Sequence, residues 1–160
     1  MKKLILFILI FVFITYSATA EYKISKEDNA AIKFNACGKS FGIPPLDTEK
    51  IIRSGNIVIF PMDGYDVMFL FDANEKIESA GVRMKSETAA GDFLLSCMTL
   101  VSILGNFDYT SYGMILFQYS QIKSGKEESI PYAIAGDEFI IQSGPDEFVC
   151  LFAYANTKKE

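Results

Sequence analysis

The stretch from Asn56 to Lys85, NIVIFPMDGYDVMFLFDANEKIESAGVRMK, decides the fold class of this chain. Runs of β-branched and aromatic residues stand on both sides of Asp63-Gly64, a dipeptide that is a strong signal for a tight hairpin turn. A second turn, over Asp72–Glu75, leads into a further run of strand-forming residues. The stretch therefore predicts an antiparallel meander with strands at Asn56–Met62, Tyr65–Phe71 and Lys76–Lys85.

Three segments outside the meander have helical patterns. Ser25 and Asp28 resemble a capping box, and the apolar residues that follow recur at helical spacing until Gly42 and Pro44-Pro45 end the segment. Ser86 or Thr88 caps a second helix, which is apolar nearly all round and is therefore expected to be buried. The third segment, 107–123, is compatible with a helix or a strand. We favour a helix with a core face made of Tyr112, Ile115, Leu116, Tyr119 and Ile122.

The last part of the chain returns to strand patterns. Three runs, Ile130–Ala135, Glu138–Ser143 and Glu147–Ala155, are separated by glycine, aspartate and proline residues that favour turns. The order is one helix, three strands, two helices and two or three strands. It predicts a single α+β domain, with an antiparallel sheet of about five to six strands and two or three helices packed on one face.

The first twenty residues have the pattern of a cleaved secretory signal peptide. Lys2 and Lys3 precede an uncharged run of thirteen residues, and small residues at positions 18 and 20 suit cleavage after Ala20. The run is shorter than the roughly 20 residues that a membrane span needs, although an uncleaved anchor is the alternative. We expect residues 1–20 to be removed and residues 21–160 to form one exported domain without a membrane span, in the periplasm or outside a bacterial cell.

Export would place the three cysteines where disulfides persist. An odd number allows one internal bridge at most. Cys37 and Cys97 fall in the apolar stripes of two predicted helices, so we expect a disulfide between them, with Cys150 left over. The alternatives are three buried thiols that act as small hydrophobic residues, or a bridge to another chain. No two cysteines are close enough in sequence for a redox motif or a structural zinc site.

Charge and composition exclude several functions. The chain has 20 acidic and 15 basic residues, and removal of Lys2 and Lys3 would change the net charge from −5 to −7, so binding to nucleic acid is not expected. No histidine is present, which excludes histidine-dependent nucleophiles and the usual zinc ligand. We therefore expect no metal, no cofactor and no catalytic residues. Asp66 and Asp92 are the acidic residues that turns and helix ends explain least.

Apolar residues that point away from the predicted core are the candidate binding surface. In the strand Tyr65–Phe71, alternation places Met68 and Leu70 on the face that the helices do not cover. The third helix has a similar surplus, so the candidate set is Met68, Leu70, Tyr109, Met114 and Phe117. Alternatively, the sheet curls or the segment around Pro44-Pro45 covers its second face.

These observations predict a small, exported, acidic, non-catalytic binding protein that acts through a protein interface. One version is an inhibitor or immunity protein that covers a basic enzyme, because opposite charge speeds the encounter. A homo-oligomer is also compatible with the sequence. The alternatives are a hydrolase of an envelope polymer that uses two carboxylates such as Asp66 and Asp92, or a carrier of a small apolar ligand between sheet and helices.

Overall fold

The computed structural model describes residues 24–104, 109–125, 129–134, 137–143 and 148–153. They form one α+β domain with its helices packed on one face of an antiparallel sheet, as the sequence predicts. The helices are α1 (Lys26–Gly38), α2 (Ala90–Leu104) and α3 (Tyr109–Lys123). The strands are β1 (Ile52–Ser54), β2 (Ile57–Pro61), β3 (Tyr65–Phe71), β4 (Ile77–Met84), β5 (Ser129–Ile134), β6 (Asp137–Ser143) and β7 (Phe148–Ala153).

The seven strands lie in the order β1-β2-β3-β4-β7-β6-β5, and every neighbouring pair is antiparallel. The six predicted strands are all present. The additional strand, β1, is a three-residue edge strand that pairs with β2. Two meanders, β1–β4 and β5–β7, are thus joined where β7 pairs with β4, while α2 and α3 connect them along the chain.

Local signals in the sequence account for most element boundaries. The Ser25 side chain accepts a hydrogen bond from the Asp28 backbone N–H at 3.1 Å, and the Ser25 hydroxyl donates to the Asp28 carboxylate at 2.7 Å. Ser25 is therefore the N-cap of α1, as predicted, but the second bond joins the two side chains and not the Ser25 backbone N–H and the Asp28 carboxylate, as a capping box would. Ser86 caps a short 3-10 turn that leads into α2. The ambiguous third segment is a helix, as predicted, from Tyr109 to Lys123.

The core lies between the helices and the face of the sheet that they cover, which we call the inner face. Phe34 of α1, Phe93 and Leu100 of α2 and Ile115 of α3 are fully buried there. The strands contribute every second residue, as the two-residue period of a strand requires. These inward residues are Val58, Phe60, Tyr65, Val67, Phe69, Phe71, Ala80, Val82, Met84, Cys150 and Phe152.

One predicted helix face is incorrect in part. Ile115, Tyr119 and Ile122 of α3 are buried as expected, but Leu116 is 48% exposed, and Gln118 occupies the buried position instead. Within the described part of the chain, the Gln118 amide has no hydrogen-bond partner. A buried amide without a partner is unfavourable, so the packing of α3 as a whole outweighs the local pattern here.

The cysteines do not pair as the sequence suggests. All three are free thiols, so the expected disulfide between Cys37 and Cys97 does not form in the structure. Cys97 and Cys150 are both buried, and their thiols interact where α2 packs against β7. Burial, followed by this contact with Cys150, raises the pKa of the Cys97 thiol well above its usual value. Cys97 therefore behaves as a small core residue and not as a reactive thiolate.

The predicted signal peptide, residues 1–20, lies outside the described residues. None of the helices in the described ranges has the length and apolar character that a membrane span requires. Export and cleavage therefore remain predictions.

Candidate functional site

The face of the sheet opposite the helices, which we call the outer face, carries a row of aliphatic residues. The strand register places Ile52 beside Ile59, Ile59 beside Met68, Met68 beside Gly81, and Gly81 beside Leu151. The row therefore crosses five neighbouring strands, from β1 to β7. It exists because each of these strands places an outward residue at the same level of the sheet.

A second pair of outward aliphatic residues, Ile57 and Leu70, lies next to this row in neighbouring strands. Ile52 is 54% exposed, Leu151 40% and Ile57 39%, whereas Ile59, Met68 and Leu70 are partly exposed. We call these six residues the outer strip. An antiparallel sheet with one solvated face normally carries polar residues there, so the outer strip departs from the usual pattern.

The segment around Pro44-Pro45 does not cover the outer strip. Leu46, directly after the two prolines, is buried, and its backbone N–H donates to the Asn35 side chain at 2.7 Å. The Asn35 amide donates back to the Leu46 carbonyl at 3.4 Å. These bonds hold the segment against α1, on the helix side of the sheet.

Gly81 produces a depression in the middle of the outer strip. A groove of about 160 Å³ lies over it, between Met68 and Leu70 on one side and Leu151 on the other. A Cβ at position 81 would be 2.8 Å from the Cys150 carbonyl oxygen and 2.9 Å from Leu151 Cδ2. The absence of a side chain therefore allows β4 and β7 to approach and leaves room above the backbone.

Replacing Gly81 by alanine is expected to lower the free energy of unfolding by about 1–3 kcal/mol, because the new methyl group overlaps backbone that cannot move freely. Denaturation in urea measures the change. Gly91→Ala is the control, since a Cβ at position 91 meets nothing within 4 Å and alanine favours the helix. A loss of the same size in both variants would contradict the close approach of β4 and β7.

A charged cluster borders the outer strip. Asp66 is 3% exposed, and its carboxylate lies between two cations. Arg83 Nη2 and Nε donate to Asp66 Oδ2 at 2.6 and 3.2 Å, and Lys85 Nζ donates to Oδ1 at 2.7 Å. Both oxygens of Asp66 are thus engaged in charge-assisted hydrogen bonds. The cluster gives the strip a polar border with a fixed geometry.

The structure places Asp66 and Asp92 in different surroundings. Asp66 is bound by two cations on the outer face, whereas Asp92 is exposed in the first turn of α2. Among the described residues, neither Asp66 nor Asp92 lines the groove over Gly81. The same part of the chain contains no cluster of three or more acidic or cysteine side chains that could hold a metal ion.

The structure separates the predicted binding residues into two groups. Met68 and Leu70 lie in the outer strip, as expected from strand alternation. Met114 and Phe117 belong to α3 on the helix side of the sheet, where Phe117 is 52% exposed and Met114 is partly buried. Tyr109 begins α3, but its side chain lies outside the described residues. The five residues therefore do not form one surface.

Four residues of the outer strip, and the glycine beneath the groove, are not among the candidates predicted from the sequence: Ile52, Ile57, Ile59, Leu151 and Gly81. Ile57 and Ile59 alternate with the buried Val58 and Phe60, so the period of β2 was a usable signal. Ile52 has no such signal, because β1 is only three residues long. Gly81 becomes informative only when β7 is known to lie beside β4.

Comparison of the chain with protein-family models, with curated proteins and with solved structures gives no match. A functional proposal must therefore be based on the chemistry of the surfaces described above.

Proposed function

We propose that this protein is a non-catalytic binding protein that acts through the outer strip, and that its partner is a basic protein. The observation that carries the proposal is the row of apolar residues that runs across five strands, with the depression at Gly81 within it and no described helix packed on it. Exposed apolar surfaces of this kind commonly mark sites of protein association. The groove over Gly81 offers a place for one apolar side chain of the partner, and the cluster of Asp66, Arg83 and Lys85 provides a polar rim.

The charge of the chain favours a basic partner over a second copy. The net charge is −5 for the full chain, so two copies repel each other, while a cationic protein is attracted over a distance of about 10 Å at moderate salt. An inhibitor or immunity protein that covers a basic enzyme is one form of this function. The predicted signal peptide would place the encounter in the periplasm or outside the cell.

The test begins with capture of the partner from an envelope extract, followed by measurement of Kd with the purified partner. Ile57→Lys, within the outer strip, is expected to weaken binding at least about tenfold, because a lysine at the interface would leave a desolvated charge. Ile32→Lys is the matched control: Ile32 lies on α1, is 55% exposed and undergoes the same chemical change. The control adds the same positive charge outside the outer strip, and we expect it to change Kd by less than about twofold.

The dependence of binding on salt concentration provides a second test. Raising the salt concentration should weaken binding of the wild-type protein, because screening reduces long-range attraction. The proposal fails if Ile57→Lys binds as tightly as Ile32→Lys. A stable dimer of the protein alone that Ile57→Lys dissociates would instead assign the outer strip to a second copy.

A further inference from the structure

A cavity of about 360 Å³ lies on the helix side of the molecule, between α1, the turn that joins β3 to β4, and the last turn of α2. Its volume falls within the range of roughly 300–1,000 Å³ that is typical of small-molecule sites. It is lined by one face of α1, by residues on both sides of the β3–β4 turn and by Ile103.

Cations dominate the charged groups of this cavity. Lys26 and Lys33 of α1 and Lys76 of the turn line it, together with a single acidic residue, Glu75. Lys26 and Lys33 are seven residues apart, and Asn29 stands between them on the same helix face. In a chain with a net charge of −5, this local excess of positive charge is opposite to the charge of the whole protein. An anion in the cavity would be attracted by the three ammonium groups.

The cavity also has an apolar side. Phe71 and Ala30 form its buried floor, and the partly exposed Ile77 and Ile103 line it. Lys26 Nζ lies 5.1 Å from the centroid of the Phe71 ring, a cation–π contact that holds the ammonium group over the floor. A ligand in this cavity would therefore meet cations and apolar surface together.

The turn that carries Lys76 has a fixed geometry. Asp72 Oδ1 accepts hydrogen bonds from the backbone N–H groups of Asn74 and Lys76, both at 2.8 Å, and the Asp72 N–H donates to the Lys76 carbonyl at 2.8 Å. The backbone N–H of Lys76 is the main reason why the pKa of Asp72 is lowered. Glu75 has a φ of 61°, a conformation that residues with side chains rarely adopt. The turn is thus held in one shape at the mouth of the cavity.

We propose that this cavity binds a small organic anion that combines a phosphate or carboxylate group with a short apolar group. Lys33 and Lys76 bind the charged group, Asn29 donates a hydrogen bond to it, and the apolar group lies against Ile77 and Ile103. The site is on the opposite side of the sheet from the outer strip, so this proposal does not depend on the proposed function.

The test uses the 160-residue chain and three probes: phenyl phosphate, phenylacetate (the anion of phenylacetic acid) and inorganic phosphate. Binding is followed by backbone amide shifts in two-dimensional NMR spectra. We expect both phenyl probes to saturate the site with a Kd of about 1 mM or tighter, with the largest shifts around Asn29 and Ile77. Inorganic phosphate should bind about tenfold more weakly, because it lacks the apolar group. Comparison of the two phenyl probes distinguishes phosphate from carboxylate as the preferred charged group.

Matched variants separate the cavity from general surface charge. The double change Lys33→Gln and Lys76→Gln should weaken binding of phenyl phosphate about tenfold, whereas Lys39→Gln with Lys50→Gln removes the same charge outside the cavity and should change Kd less than about twofold. Glu75→Gln should tighten binding, because it removes the negative charge. Equal weakening in the two double variants, shifts that map elsewhere, or equal affinity for inorganic phosphate would overturn the proposal.

Discussion

Gly64→Ala is expected to lower the free energy of unfolding by about 2–4 kcal/mol, a large part of the 5–15 kcal/mol that is typical of a small domain. Two costs combine in this estimate. Gly64 has a φ of 77°, and an alanine in that left-handed conformation costs about 1–2 kcal/mol. The new Cβ would also be 2.8 Å from the Ala89 Cβ, so the turn before α2 would have to move.

Hydrogen bonds limit how far this region can adjust. The Gly64 carbonyl accepts the N–H groups of Lys85 and Ser86 at 2.8 and 3.0 Å, which ties the hairpin to the segment that leads into α2. Equilibrium unfolding in guanidinium chloride measures the effect through the midpoint and the slope.

Gly55→Ala is the matched control for the Gly64 change. Gly55 also has a positive φ, of 60°, but a Cβ there meets nothing within 4 Å. We expect a loss of about 1 kcal/mol, from the backbone conformation alone. If Gly55→Ala and Gly64→Ala lose the same stability, the contact with Ala89 contributes nothing and the packing of the hairpin against α2 needs revision.

The second large effect is expected at Phe69, in the centre of the inner face. Phe69→Ala should lower the free energy of unfolding by about 3–5 kcal/mol, because it removes a fully buried aromatic ring and leaves a cavity. The ring packs edge-on against Phe60, with centroids 5.9 Å apart, and is tilted against Phe71 at 6.4 Å. Thermal and chemical denaturation of the purified variant measure the loss.

Phe117→Ala makes the same chemical change at an exposed position of α3 and should alter the free energy of unfolding by less than about 0.5 kcal/mol. Phe69→Leu is a milder variant that should fold even if Phe69→Ala does not, with a smaller loss. A loss at Phe117 as large as that at Phe69→Leu would mean that Phe117 is covered, contrary to the structure.

Six of the seven described strands were predictable from the sequence because their signals are local. Alternation identifies β2 and β3, and Asp63-Gly64 identifies the turn between them. Ile52–Ser54 escaped prediction, because three residues carry no period and their strand conformation comes from pairing with β2. The pairing of β4 with β7 joins residues about seventy positions apart, and no local pattern encodes it.

The candidate site was predictable only in part, because it depends on strand pairs that are distant in sequence. Alternation alone places Met68 and Leu70 on the outer face. Their continuity with Ile52 and Leu151 requires the strand order, and the groove requires the close approach at Gly81. In α3, helical spacing correctly predicted that Ile115, Tyr119 and Ile122 are buried. It did not predict that Gln118 is buried and Leu116 exposed, because side-chain packing decides this.

Strand β7 is the last of the described strands along the chain, yet it lies between β4 and β6 in the sheet. A ribosome therefore completes the three helices and the other six described strands before it makes β7, the strand that joins the two meanders. Until Phe148–Ala153 has been synthesised, β4 presents an unpaired edge to its surroundings, and such edges pair readily with other chains. Between synthesis of β4 and synthesis of β7, this edge is therefore open to pairing with other chains.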